Sequence, residues 1–223
     1  MVIKFIFFDA GGTLLRTARK VGVIYAEVAS HYGWQGDGEF LHRSFIHTWK
    51  QMKPRDPQEG ARVMDDKGWW KEVVRRTWSV YPQMPQDFPF DDYFEEVYTL
   101  FERADLWRLF PEVEETLQRL KSKGMSCGVL SNWDRRLRAI LDGLALSPYF
   151  EQIIISSEVG VEKPHPMIFQ LAQKRVHFKP EEIVLIGDDE YFDGAARNQG
   201  WHAEIVERPE KSLDLILEKL LII

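Results

Sequence analysis

Cysteine is almost missing from this sequence. The one thiol, Cys127, has no internal partner for a disulfide, and it gives no metal-ligand spacing. A disulfide-stapled fold is excluded, and a reducing compartment, the cytoplasm, is expected. Long apolar runs are missing too. The apolar start, Met1 to Phe8, is interrupted by Lys4 and stopped by Asp9, too short for a leader's apolar region or a membrane span, so no membrane partner is expected. Positive charge is in deficit, with 29 Lys and Arg against 35 Asp and Glu and a formal charge of -6, which argues against nucleic acid as a partner. Proline at 11 and glycine at 15 in 223 residues leave no room for a collagen-like or low-complexity chain. What the sequence does have is tryptophan: of its 8, five fall between Trp34 and Trp78.

The length exceeds what one α/β sheet needs and falls short of two full domains, so a core domain with an insertion is expected. Five short runs rich in Val, Ile, Leu and Phe lack polar alternation, as parallel strands covered on both faces do. They are Val2 to Phe8, Met125 to Leu130, Gln152 to Ile155, Ile183 to Ile186 and Ala203 to Val206. Helical patterns lie between them, at Val113 to Lys123, Asp134 to Leu144, Pro166 to Arg175 and Gly194 to Gln199, and a last one runs from Ser212 to Ile223. Strand alternating with helix implies a Rossmann-like, doubly wound parallel α/β sheet.

Residues 16 to 105 break that rhythm. They show no convincing strand and four helical patterns: Val21 to Tyr32, Glu39 to Trp49, Trp69 to Trp78 and Phe90 to Phe101. The proline-bearing stretches Pro54 to Gly60 and Tyr81 to Pro89 are expected to connect them. The expected organisation is a core of residues 1 to 15 and 106 to 223 with an all-helical cap, residues 16 to 105, inserted. Large aromatics at helical spacing read as the core of that cap.

Ligands of an open α/β sheet collect beyond the carboxyl ends of its strands. The residues there are Asp9-Ala10-Gly11-Gly12-Thr13 after the first strand, Ser131-Asn132 after the second, Glu162-Lys163-Pro164 beyond the third and Gly187-Asp188-Asp189 after the fourth. Each has a plain reading as a turn former, an N-cap hydroxyl, a surface lysine or a loop. Their common placement is what points to a site. Carboxylates, one lysine and one hydroxyl converging on a sheet edge suit an anionic, metal-bound substrate.

With Phe8-Asp9-Ala10-Gly11-Gly12-Thr13-Leu14, Leu130-Ser131-Asn132, Lys163-Pro164 and Gly187-Asp188-Asp189 through Asp193, the chain resembles the haloacid dehalogenase-like hydrolases. The inserted helices fall where this family places its first type of cap, and the stretches at Trp69, Ser131 and Lys163 are similar to one subgroup. The resemblance implies Asp9 as a nucleophile that forms an aspartyl phosphate, Ser131 and Lys163 as its catalytic partners, and a small phosphorylated molecule as substrate. It implies Mg²⁺ held by Asp9, the Gly11 carbonyl, Asp188 and Asp193, and substrate contacts from Ala10, Gly11, Gly12, Ser131, Asn132 and Lys163. A monomer or homodimer is expected.

The chain departs from that pattern at Gly11, where phosphatases of this family carry a second Asp that protonates the leaving group. Positioned acid–base catalysis is worth ~10² to 10⁴ in rate. Three readings follow: phosphates with good leaving groups are hydrolysed; Asp134, Glu162 or His165 supplies the proton; or the chain binds a ligand or partner without efficient turnover. A 2-haloacid dehalogenase also needs no second Asp, but Asp188, Asp189 and Asp193 near Asp9 argue for a cation. Gly200 follows Asp193 one residue sooner than the family pattern, which leaves the role of Asp193 open.

Overall fold

In the computed structural model the described residues are 2–52, 66–79, 87–208 and 212–220. Seven strands form among them: β1 Phe5–Phe8, β2 Leu15–Thr17, β3 Trp107–Leu109, β4 Ser126–Ser131, β5 Gln152–Ile155, β6 Ile183–Gly187 and β7 His202–Ile205. Five make one sheet in the order β5-β4-β1-β6-β7, with every pairing parallel. Phe8 stands in register with Val129 on one side and Ile186 on the other. The chain fills one half of the sheet from β1 through β5 and then crosses to β6. The crevice at such a reversal lies beyond the carboxyl end of β1.

The described residues divide into two compact units, one drawn from Met1–Arg16 and Arg108–Ile223, the other from Thr17–Arg55 and Met64–Trp107. The second is helical: α1 Val21–Ser30, α2 Gly38–Met52, α3 Asp66–Ser79 and α4 Phe90–Leu100. Trp34 meets Trp78 edge-on at 4.7 Å, and the Trp78 indole N–H donates to the Tyr93 hydroxyl at 3.1 Å. Both tryptophans are buried, as the aromatic spacing predicts. Trp49, Trp69 and Trp70 are only half-buried and pack on one another, Trp49 and Trp70 stacking at 5.7 Å. Lys20 pairs with Glu39 at 2.7 Å in an exposed contact. The expected connection at 54–60 and residues 81–86 lie outside the described residues.

The first unit carries the sheet and its covering helices, α5 Val113–Ser122, α6 Arg136–Gly143, the single turn α7 Ser156–Val159, α8 Pro166–Val176 and α9 Leu213–Lys219. In α5 the buried residues are Val113, Thr116, Leu117 and Leu120, the spacing of one helical face. Alternation along β1 sends Phe5 and Phe7 to one side of the sheet. There Phe7 stacks on Trp201 at 5.4 Å, and Phe169 of α8 meets the same indole edge-on at 5.7 Å. No helix among the described residues is long and apolar enough to cross a membrane.

Several details differ from the sequence expectations. β1 begins at Phe5, since Val2 lies 70% exposed. The stretch read as strand-free contributes β2, which pairs with β3 as a two-stranded ribbon; three residues each are too few to show a period. α6 starts two residues late because the Asp134 carboxylate takes the Arg136 amide at 3.0 Å. α9 ends at Lys219. Phe7→Ala removes the ring at the centre of the sheet's aromatic stack and is expected to cost about 3–5 kcal/mol in denaturant unfolding; a loss below about 1 kcal/mol contradicts this packing.

Candidate active site

The sheet order sets β1 between β4 and β6, so three carboxyl ends lie side by side. Asp9 follows β1, Ser131 closes β4 and Asp188 follows β6; Asp193 stands just before the 3-10 turn Gly194–Gln199. Lys163 comes from the loop between α7 and α8. Its Nζ lies 2.8 Å from Asp9 Oδ1 and 2.5 Å from Asp193 Oδ1, with only 1% of the side chain exposed. Burial opposes the ammonium charge, but Asp193 and Asp9 outweigh it and hold the lysine well above its ordinary value.

Asp9, Asp188 and Asp193 can bring one oxygen each within 4.8 Å of one another. Two glycines make this possible. A Cβ on Gly12, whose φ is +76°, would come within 2.2 Å of Asp188 Oδ2, and one on Gly187 would meet the Asp193 carboxylate at 2.1 Å. The crowding is visible in protonation. Loss of hydration, then repulsion from Asp9 and Asp193, pushes Asp188 up to about 7. Asp193 is also raised, by burial first, with Lys163 pulling the other way. Three carboxylates facing one ammonium leave an excess of negative charge in an all-oxygen donor set. That set fits a hard divalent cation such as Mg²⁺.

Several side chains named from sequence have other tasks. The Asn132 amide is engaged by the backbone of Lys163, donating to its carbonyl and accepting from its N–H, both at 2.7 Å. It positions the lysine. The Gly12 amide closes a turn onto the Leu15 carbonyl at 2.9 Å, so this glycine contributes room for Asp188 and not an anion donor. Asp134 is buried and gripped by Arg136 through 2.8 and 2.6 Å bonds. His165 Nδ1 accepts the Met167 amide at 3.2 Å as the cap of α8. Glu162 is buried at 7% exposure.

Two residues escaped the sequence reading. Arg208 donates to the Thr13 carbonyl at 2.8 Å, is bonded to Glu112 and lies over the Phe110 ring at 3.9 Å, while Arg16 covers the same ring at 5.9 Å. This brace steadies the loop after Asp9; the Thr13 hydroxyl itself is buried without a hydrogen bond. Trp133, beside Ser131-Asn132, sets its indole against Gly11. Its adjacency to the second strand end was the only signal available in sequence.

A parallel sheet in this order, with an aspartate after its central strand and a buried lysine and two more carboxylates around it, defines a class of α/β hydrolase. The sequence pattern of the haloacid dehalogenase-like hydrolases matches residues 3–199, and the chain belongs to that family. It is 29% identical to human haloacid dehalogenase-like hydrolase domain-containing protein 3 over 93% of this chain and 83% of that protein. It is 30% identical to the rhythmically expressed gene 2 protein of Drosophila melanogaster, over 97% and 86%. Among solved structures, the HAD-hydrolase YfnB of Bacillus subtilis, bound to magnesium, has a TM-score of 0.76 at 14% identity, covering 99% of this chain and 100% of that one. L-2-haloacid dehalogenase of Xanthobacter autotrophicus has a TM-score of 0.72 at 21% identity, covering 99% and 83%. The structural likenesses establish the fold.

Asp188 binds its proton more tightly in the folded chain than a free carboxylate does, so its contribution to stability is present below about pH 4 and is lost as pH rises through about 7. Without metal, Asp188→Asn should therefore unfold at a higher temperature than the wild type, by a margin that opens between those two pH values. A margin that closes as pH rises contradicts the assigned repulsion.

Proposed function

We propose that this hydrolase is a Mg²⁺-dependent phosphatase acting on a small phosphorylated molecule through an aspartyl-phosphate intermediate. The observation that carries the reading is the buried Lys163 held between Asp9 and Asp193, with Asp188 alongside. Asp9 attacks phosphorus with a carboxylate oxygen, the bond from phosphorus to the leaving oxygen breaks, and that oxygen departs with its electron pair. Water then attacks phosphorus, phosphate leaves, and Asp9 is restored. Lys163 and Ser131, with the amides of Ala10 and Gly11, hold the phosphoryl oxygens, and Asn132 keeps Lys163 in place. Asp9, Asp188 and the Gly11 carbonyl would hold Mg²⁺, with Asp193 anchoring the lysine. When bound, the ion supplies positive charge that draws the phosphoryl group and the carboxylates together.

No side chain stands at position 11, Asp134 is bonded to Arg136, His165 Nδ1 caps its helix, and Glu162 is buried at 7% exposure. The reading therefore favours leaving groups that depart as stable anions, such as acyl and aryl phosphates. A carboxylate nucleophile attacks through an oxygen lone pair and needs no base to activate it. The same reading puts the protein in the cytoplasm, where the buried Cys127 thiol, pushed up to about 12 by loss of hydration, stays inert.

A 2-haloacid dehalogenase is the second reading. Gly11 favours it, because halide leaves without a proton. The carboxylates at Asp188 and Asp193 weigh against it, since an anionic haloacid would meet them without a compensating ion.

Acetyl phosphate is expected to release phosphate only with Mg²⁺ present, and Asp9→Asn should lower that release to background. An unchanged rate in the variant removes Asp9 as nucleophile. Halide release from 2-chloropropionate in a chelator supports the second reading, and no release from either substrate supports a noncatalytic binder.

A further inference from the structure

The space beside Gly11 is already filled. A Cβ built there lies 3.0 Å from Cζ3 of Trp133, 3.8 Å from Cη2 and 4.0 Å from Cε3. These atoms form the benzo edge of the indole. They carry no proton to donate and no lone pair, so the ring takes the room of a side chain without supplying its chemistry. A contact of 3.0 Å is tighter than real Cβ atoms ordinarily make, so a residue larger than glycine requires the ring to move.

The backbone under the ring is fixed, so any accommodation falls on the torsions of the indole itself. The Trp133 amide donates to Ser156 Oγ at 3.1 Å, and the Trp133 carbonyl accepts from Ser156 Oγ at 3.1 Å and from the Ser157 amide at 3.2 Å. The preceding residue, Asn132, is bonded twice to Lys163, and the following one, Asp134, is held by buried Arg136. The indole is only half-buried, which leaves part of it facing outward beside a position two residues from Asp9.

We propose that Trp133 is a specificity-determining residue: its indole replaces the side chain missing at Gly11 and forms an aromatic wall beside Asp9 that selects phosphate monoesters of aromatic alcohols. The inference rests on the phosphoryl-transfer reading. An aromatic leaving group gains twice from this arrangement. It packs on the indole, a contact worth about 0.5–1.5 kcal/mol beyond area, and it leaves as a stabilised anion that needs no proton from position 11. A polyol or sugar phosphate gains neither.

The test compares p-nitrophenyl phosphate, acetyl phosphate and glycerol phosphate, all with Mg²⁺. Trp133→Ala should lower the ratio of kcat/KM for p-nitrophenyl phosphate to that for acetyl phosphate by about two- to twelvefold, mainly through KM, and Trp133→Phe should restore most of it. Trp133→Leu, which keeps bulk without a ring, should behave as the alanine variant does and replaces it if that variant fails to fold. A ratio that stays constant across the series, or that falls equally in the Phe variant, overturns the aromatic wall. The space itself is read by a second pair: Gly11→Asp alone should gain no turnover of glycerol phosphate, whereas Gly11→Asp combined with Trp133→Ala should. A gain from Gly11→Asp alone overturns the claim that the ring occupies that position. A wild type inactive on all three phosphates contradicts the phosphoryl-transfer reading itself, and this inference falls with it.

Discussion

The site is organised by one buried ammonium, Lys163, between the carboxylates of Asp9 and Asp193 at 2.8 and 2.5 Å. A charge that deep is tolerated only when it is paired on good geometry, and losing the lysine would leave the carboxylates around it uncompensated. The surrounding bonds hold that geometry. Asn132 grips the lysine's own backbone, and Asp193 fixes its second oxygen on the Asp189 amide at 3.1 Å. Through Lys163, four loops from four strands become one rigid arrangement.

That arrangement is electrostatically unbalanced, and the imbalance is informative. Asp188 and Asp193 are both pushed upward, by lost hydration first and then by carboxylates nearby, so the folded chain carries a cost for holding these charges together. Glycines at 12 and 187 keep the carboxylates closer than any side chain there would permit. A cation held there, as proposed, would offset that cost. The acidic balance of the whole chain, read first as a bar to anionic partners, includes this cluster, whose charge a metal would reverse locally.

Much of this was legible before any coordinates. The central strands declare themselves as unbroken apolar runs because both faces of a parallel sheet are covered, and Asp9, Ser131 and Asp188 declare themselves by following those runs directly. Lys163 was less direct, since α7 stands between it and the end of β5; its place beyond the third apolar run pointed to it, and the family resemblance gave it a role. The ribbon of β2 and β3 is too short to leave a period. Trp133 against Gly11 was beyond reach, because it depends on how two loops distant in sequence come together, and neither residue has local context that reveals the contact. The bonds that occupy Asn132 and Gly12 were not legible either: Asn132 reaches a residue far along the chain, and the Gly12 turn onto Leu15 leaves no mark in the pattern of apolar residues.

The central claim is covalent, that Asp9 itself carries the phosphoryl group. Borohydride reduces an aspartyl phosphate to homoserine and leaves free aspartate untouched, so quenching the Mg²⁺-loaded protein with borohydride during turnover of acetyl phosphate reads the intermediate directly. The account predicts homoserine at position 9 in the recovered peptide, present with substrate and absent without it. Sustained phosphate release with aspartate alone at position 9 would contradict it.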